Sequence, residues 1–348
     1  MSPVLERELL RRMPKAELHC HLDGSVRPQT LLDLAAEYGQ PMPRSDAQAL
    51  RDYMLVADAH NLEEYLERFS ITLSVMQTAE ALERIAYELA VDAAAEGVRY
   101  LEVRYAPILN VRHGLSLEAA VDAPIRGLAR AEAELGIVGR VIICGIRSMA
   151  PDVSIELAEL AVAYRNDGVV GFDLAGGEAG HPAADHARAF AHARRHDLAC
   201  TCHAGEGDGP ASVHEALHTC GADRIGHGTR IIEDPRLLDY VAEQRVPIEI
   251  CLTSNVQTRA AASYDAHPLR QYYDLGVNVV LNTDNRLMSG TTLTDEYTHA
   301  ARHLDFSFDE LARMALNGFE SAFLPLDQRG QLVASAEREI AVLRESAA

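Results

Sequence analysis

Eight short apolar runs, each ending in polar residues and most separated by helix-period segments, constrain the fold of this 348-residue chain most strongly. They are "KAELHCHLDG" (15–24), "VRYLEVRYAP" (98–107), "GRVIICGIRS" (139–148), "GVVGFDLAGG" (168–177), "DLACTCHAGE" (197–206), "DRIGHGT" (223–229), "VPIEICLTSN" (246–255) and "VNVVLNTDN" (277–285). Segments 117–135, 154–166 and 183–196 lie between them, with apolar residues recurring every three or four positions as crossover helices require. Strict β/α alternation implies a parallel sheet, and eight units predict a closed (β/α)8 barrel, a fold of about 250 residues. The surplus falls at about 25–97, read as a helical insertion after strand 1 that covers the barrel mouth and includes a helix over 61–76. No internal repeat or Pro/Gly/Ser linker divides the chain, so residues 1–348 are expected to form a single domain.

A formal net charge of −20 argues against nucleic acid and anionic membrane surfaces as partners, because both are bound through dense Lys/Arg patches. A small neutral substrate is easier to accommodate. The N-terminal "MSPVLERELLRRM" lacks the apolar core of a signal peptide, and no apolar run approaches the roughly 18 residues of a membrane span. A cytoplasmic location is therefore expected. The six cysteines contain no Cys-x-x-Cys pair and mostly fall in strand-like runs, so they read as reduced, buried thiols.

The C-terminal ends of the proposed strands carry "HCHLDG", "DLAGG", "HAGE", "GHGT", "LTSN" and "NTDN". In a (β/α)8 barrel these ends form the rim where active sites are built. His19 and His21 are two apart on a strand, so their side chains share a face while that of Cys20 points away. That pair could ligate one cation or be two hydrogen-bonded rim histidines. His203 and Asp284 end the fifth and eighth runs. Three imidazoles and a carboxylate suit Zn²⁺, although Asp284 also fits a turn residue. Glu206 reads either as an acid at a helix N-terminus or as a proton donor beside an activated water. His227, between glycines, is a water-orienting base or a turn histidine. The other eleven histidines, among them His60, His186 and His267, are assigned no role.

The ordered motifs "PKAELHCHLDGSVRP" (14–28), "DLAGGE" (173–178), "HAGE" (203–206), "GHGT" (226–229) and "NTDN" (282–285) resemble the adenosine deaminase family of the amidohydrolase superfamily. The resemblance implies a (β/α)8 barrel and one Zn²⁺ per chain, held by His19, His21, His203 and Asp284. It implies Glu206 as general acid and His227 as water-orienting base. Asp23 would meet the ribose hydroxyls, Gly176 would offer its backbone N–H to purine N3, and His21 would also border the substrate. The implied activity is deamination of a 6-aminopurine nucleoside, most directly adenosine to inosine and ammonia, in purine salvage. One position departs from the family pattern: Asn285 stands where a second acid is common. An asparagine NH₂ can donate to purine N7 without an unusual pKa.

Alternatives stay open at this level. Relatives that deaminate adenine typically have Glu at the position of Asp23. Aminodeoxyfutalosine, an adenosine analogue with a carboxylate on its 5′ side, would need a basic partner such as Arg27, Arg104 or Arg147. A barrel that binds nucleosides without catalysis would need neither Glu206 nor His227, and a metal-free structural barrel would hold no zinc. A lysine-bridged metal pair is disfavoured, because Lys15 is the only lysine and lies at the start of strand one.

Overall fold

The computed structural model describes residues 6–56 and 62–347. His60 and the first residue of the helix expected over 61–76 lie outside the described residues. Eight strands run β1 (Lys15–His21), β2 (Val98–Tyr105), β3 (Val138–Ile146), β4 (Val169–Ala175), β5 (Ala199–Ala204), β6 (Arg224–His227), β7 (Ile248–Ile250) and β8 (Val279–Leu281). Each pairs in parallel with its sequence neighbour, in the order β1 to β8. The sheet closes where His21 N–H donates to the Asp284 carbonyl at 2.7 Å and Asp284 N–H to the His19 carbonyl at 3.0 Å. The Asn282 side chain supports that seam by accepting from the Leu18 and His19 amides. The expected (β/α)8 barrel is thus the observed fold.

Most expected strands overran at their polar ends. The last two shorten most, and "LTSN" starts a helix, Leu252–Gln257. The backbone turns left-handed at His227 (φ 64°) and Asp284 (φ 61°), which ends ladder pairing and lifts both side chains into the mouth. The region about 25–97 is helical as expected, but its last helix, Ala79–Ala95, is an ordinary crossover helix packed on the barrel. The inserted part is therefore Pro28–Tyr38, Ala47–Met54, Leu62–Leu66 and Phe69–Val75. The helix expected over 61–76 is two short ones, and that over 183–196 opens with a 3-10 turn at Ala183–His186.

Helix Leu117–Leu135 occupies its predicted span. Ser116 caps its first turn by accepting from Ala119 N–H, and Gly136 ends it in the left-handed conformation. Pro124 lies inside this helix and cannot donate to Ala120, a carbonyl that the buried Tyr105 hydroxyl takes instead at 2.8 Å. Tyr105→Phe strands that carbonyl. We expect a loss of about 1–3 kcal/mol in denaturant unfolding, with no change at the barrel mouth.

The barrel axis departs from the branched apolar filling usual in this fold. Arg104 donates to Asp173 at 3.0 Å and to Glu249 at 2.8 Å, while Arg224 donates to Glu249 at 2.7 Å and also to Glu102. All five side chains are buried. Their partners satisfy charges that would otherwise be costly to bury. Apolar residues such as Leu101 and Val103 alternate with these polar ones and face the helices. The six cysteines are free and buried. Among the described residues no helix is long and apolar enough to cross a membrane.

Candidate active site

His19 and His21 project from the end of β1 as the two-residue spacing predicts, their ring centroids 5.4 Å apart. Cys20 points away, its thiol beside Ser25 and Thr283. His203 comes from the end of β5, and Asp284 from the left-handed turn after β8. Ligand atoms of His19, His21, His203 and Asp284 lie within 4.8 Å of one another, as do those of Glu206, His227 and Asp284.

Three of these four donors, His19, His203 and Asp284, are each aimed by a second group. His19 Nδ1 lies 2.9 Å from Glu249, His203 Nδ1 lies 3.1 Å from Asp173, and Ser254 donates to Asp284 Oδ2 at 2.6 Å. Burial opposes ionisation of these acids. Even so, His203 and Arg104 hold Asp173, and Arg104 and Arg224 hold Glu249, well below the carboxylate range. The rings' opposite nitrogens and Asp284 Oδ1 face one another: His21 Nε2 and His203 Nε2 are 3.1 Å apart, and Asp284 Oδ1 is 3.3 Å from His19 Nε2. Burial keeps His21 and His203 below the usual imidazole value, in the neutral form that offers a lone pair to a cation. His19 Nε2 is buried without a hydrogen-bond partner among the described residues, the position of a donor atom meant for an ion. Three nitrogens and one carboxylate oxygen, oriented by carboxylates behind them, fit a Zn²⁺ site.

Glu249→Gln would weaken the orientation of His19 and leave Arg104 and Arg224 with one carboxylate partner each, Asp173 and Glu102. We expect metal affinity to fall about 10–100-fold, read by competition with a chelator.

Glu206 sits past β5 with Oε2 3.4 Å from His227 Nε2. Its loop is held by Glu178, whose carboxylate accepts the amides of Gly205, Glu206, Gly207 and Asp208 at 2.7 to 3.1 Å. His21, Asp23, Gly176, His203, Glu206, His227, Asp284 and Asn285 all line one cavity of about 310 Å³. Leu62, Tyr65 and Phe69 of the insertion form its cover. Burial pushes the Asp23 carboxyl up to about 7, and its Oδ1 has no hydrogen-bond partner among the described residues. Asn285 is pressed against Gly24, where a Cβ would fall 1.7 Å from Asn285 Oδ1. The glycine of "HLDG" is thus the residue that lets Asn285 reach the cavity.

The sequence pattern assigns a role to none of Asp173, Glu249, Ser254 or Glu178, all of which stand behind the residues named above. A lone acid inside the apolar run "VPIEICL" was a signal for Glu249. The three arginines offered as partners for a 5′ carboxylate are otherwise engaged. Arg104 is in the barrel axis, Arg147 donates to the carbonyls of His181 and His203, and Arg27 pairs with Asp92. The arginine that lines the cavity is Arg112, exposed at its edge. Lys15 is buried at the opposite end of the barrel, donating to the Leu10 and Met13 carbonyls at 2.7 Å, so it cannot bridge metals at the mouth.

An eight-stranded parallel barrel with a histidine and aspartate cluster at its C-terminal mouth defines an amidohydrolase-type enzyme. Residues 14–338 match the adenosine deaminase family model. The chain is 43% identical over 350 residues to adenosine deaminase of Mycobacterium sp. (strain JLS), covering 96% of each. In three dimensions it resembles adenine deaminase from Arthrobacter aurescens, with TM-score 0.88, 28% identity and coverage of 94% of this chain and 99% of that one. An amidohydrolase from Burkhoderia ambifaria, solved with bound Zn, also superposes with TM-score 0.88 at 28% identity, over 98% of this chain and 94% of that one. The chain belongs to the adenosine deaminase family, a family of metal-dependent amidohydrolases. It is a hydrolase acting on C–N bonds, and purine deamination is the reaction its relatives support.

Proposed function

We propose that this chain, acting as one domain, hydrolyses adenosine to inosine and ammonia, with one Zn²⁺ held by His19, His21, His203 and Asp284. The observation that carries this reading is the convergence of those four donors beside Glu206 and His227 in one covered cavity. When bound, the ion supplies the Lewis acidity that lowers the pKa of a water from about 15.7 toward 7.

The chain's own residues account for the rest. Glu206 delivers a proton to purine N1, drawing electron density from C6 and making it electrophilic. His227 and Asp284 orient the attacking oxygen toward C6; of the two protons that oxygen gives up, one completes the ammonia that leaves as the C6–N bond breaks and one returns to Glu206. Asp23 accepts from ribose hydroxyls, with His21 beside it. Gly176 N–H faces N3, and the Asn285 NH₂ donates to N7, so no protonated acid is needed there. Leu62, Tyr65 and Phe69 exclude bulk water above the base. The substrate is a small purine, with no polyanionic partner required, and a cytoplasmic role in purine salvage is consistent with the acidic surface.

The test is ammonia release from adenosine, adenine, adenosine monophosphate and aminodeoxyfutalosine, compared as kcat/KM. Adenosine is expected to be preferred. Arg112 at the cavity edge is the reason to include the two 5′-anionic compounds. 7-Deazaadenosine, which lacks the N7 acceptor, should react more slowly than adenosine. A parent enzyme that binds these compounds and deaminates none would instead be a non-catalytic nucleoside-binding barrel.

A further inference from the structure

His227 presents Nε2 to the mouth and turns Nδ1 away from it, toward Asn255 on the helix after β7. The Asn255 carboxamide is buried between two imidazoles. Its Nδ2 lies 3.0 Å from His227 Nδ1, and its Oδ1 lies 3.1 Å from His267 Nε2. His267 is itself buried, in the loop before helix Leu269–Asp274, and the backbone N–H of Leu269 donates to its Nδ1 at 3.1 Å.

This chain of contacts has one consistent set of protons. A backbone amide only donates, so His267 Nδ1 carries the lone pair. Burial pushes the His267 imidazole down to about 3, so the ring is neutral and its proton sits on Nε2. That N–H needs an acceptor, which makes the facing Asn255 atom the carbonyl oxygen and directs the NH₂ at His227. His227 Nδ1 must then accept. A ring nitrogen that accepts carries no proton, so the one proton of the His227 ring is on Nε2. The direction of every bond follows from the Leu269 amide, more than 40 positions away from His227 in sequence but linked to it through three contacts.

We propose that Asn255, oriented by His267, is a positioning residue that locks His227 as the Nε2–H tautomer, so that His227 meets the reacting oxygen as a hydrogen-bond donor. In the deaminase reading, on which the kinetic part of this inference rests, His227 steadies the attacking oxygen with that N–H. The resting enzyme does not use it to take the water's proton. The role differs from the water-orienting base that the family resemblance implies for His227.

The tautomer can be read directly in the Zn²⁺-loaded full chain labelled with ¹⁵N-histidine, using long-range ¹H–¹⁵N correlations. The His227 resonances are assigned by their absence from a His227→Gln sample. The parent should show an unprotonated, pyridine-type Nδ1 and a protonated Nε2 on His227. Asn255→Asp replaces the donor with a carboxylate of the same shape, which can only accept, so His227 Nδ1 should become protonated. His267→Gln, whose amide can still donate to Asn255, should keep the parental pattern, whereas His267→Leu should lose it. Asn255→Asp should also lower kcat about 10²-fold, the cost of one preorganised donor, with KM, bound zinc and thermal midpoint little changed. A protonated Nδ1 in the parent overturns the proposal, as does an unprotonated Nδ1 in Asn255→Asp. Because the spectrum does not depend on turnover, a parent inactive on every purine would refute the deaminase reading and leave the tautomer result standing.

Discussion

Glu206→Gln is expected to lower kcat for adenosine about 10²–10⁴-fold while leaving bound zinc at the parental level. The substitution retains side-chain volume and the ability to hydrogen bond, and removes only the transferable proton. The loop should not move, because the carboxylate of Glu178 holds four consecutive backbone amides around position 206. His19, His21, His203 and Asp284 hold the ion in the proposed site, so metal content should not respond. Ammonia release by parent and variant, with zinc measured by elemental analysis, separates the effects. A variant that works at the parental rate would remove Glu206 from proton transfer. A variant that loses zinc would place it in the metal site instead.

The second large effect is expected from Asp284→Asn. Asparagine tolerates the left-handed backbone at this position, so the turn should survive. What changes is charge: the carboxylate Oδ1, directed at His19 Nε2 and His21 Nε2, becomes part of a neutral amide. We expect the variant to lose stoichiometric zinc and activity to fall about 10⁴-fold, the several kcal/mol that a Lewis acid contributes. In the parent, chelation should abolish activity and added Zn²⁺ restore it, and in the variant Zn²⁺ should restore little. Parent protein that is metal-free yet fully active would end the zinc reading.

Much of the site was legible in local pattern because strand geometry is local. A residue two positions from another on a strand must share its face, which put His19 and His21 together and Cys20 apart. Polar residues at the ends of apolar runs pointed to the rim, since every strand of a parallel barrel delivers its C-terminal end to the same mouth. The second layer was harder to see. Tyr100, Glu102 and Arg104 alternate with Leu101, Val103 and Tyr105, a period that in hindsight sends charges to the axis and apolar side chains to the helices. Read as one apolar run, β2 concealed it. His186, buried between Ser154 and the Arg147 carbonyl, and His267, buried behind Asn255, give no local signal of those contacts.

The order of strands and helices, the surplus after β1 and the residue types at each strand end were written in the chain, because periodicity and turn chemistry act over a few residues at a time. Closure decided the remainder. It brought Asp284 against His19, set Glu249 and Asp173 behind the imidazoles, and placed His267 behind Asn255 and His227. Those partners come from separate strands and loops, so only their packing in three dimensions tells which nitrogen faces an ion and which faces a carboxylate.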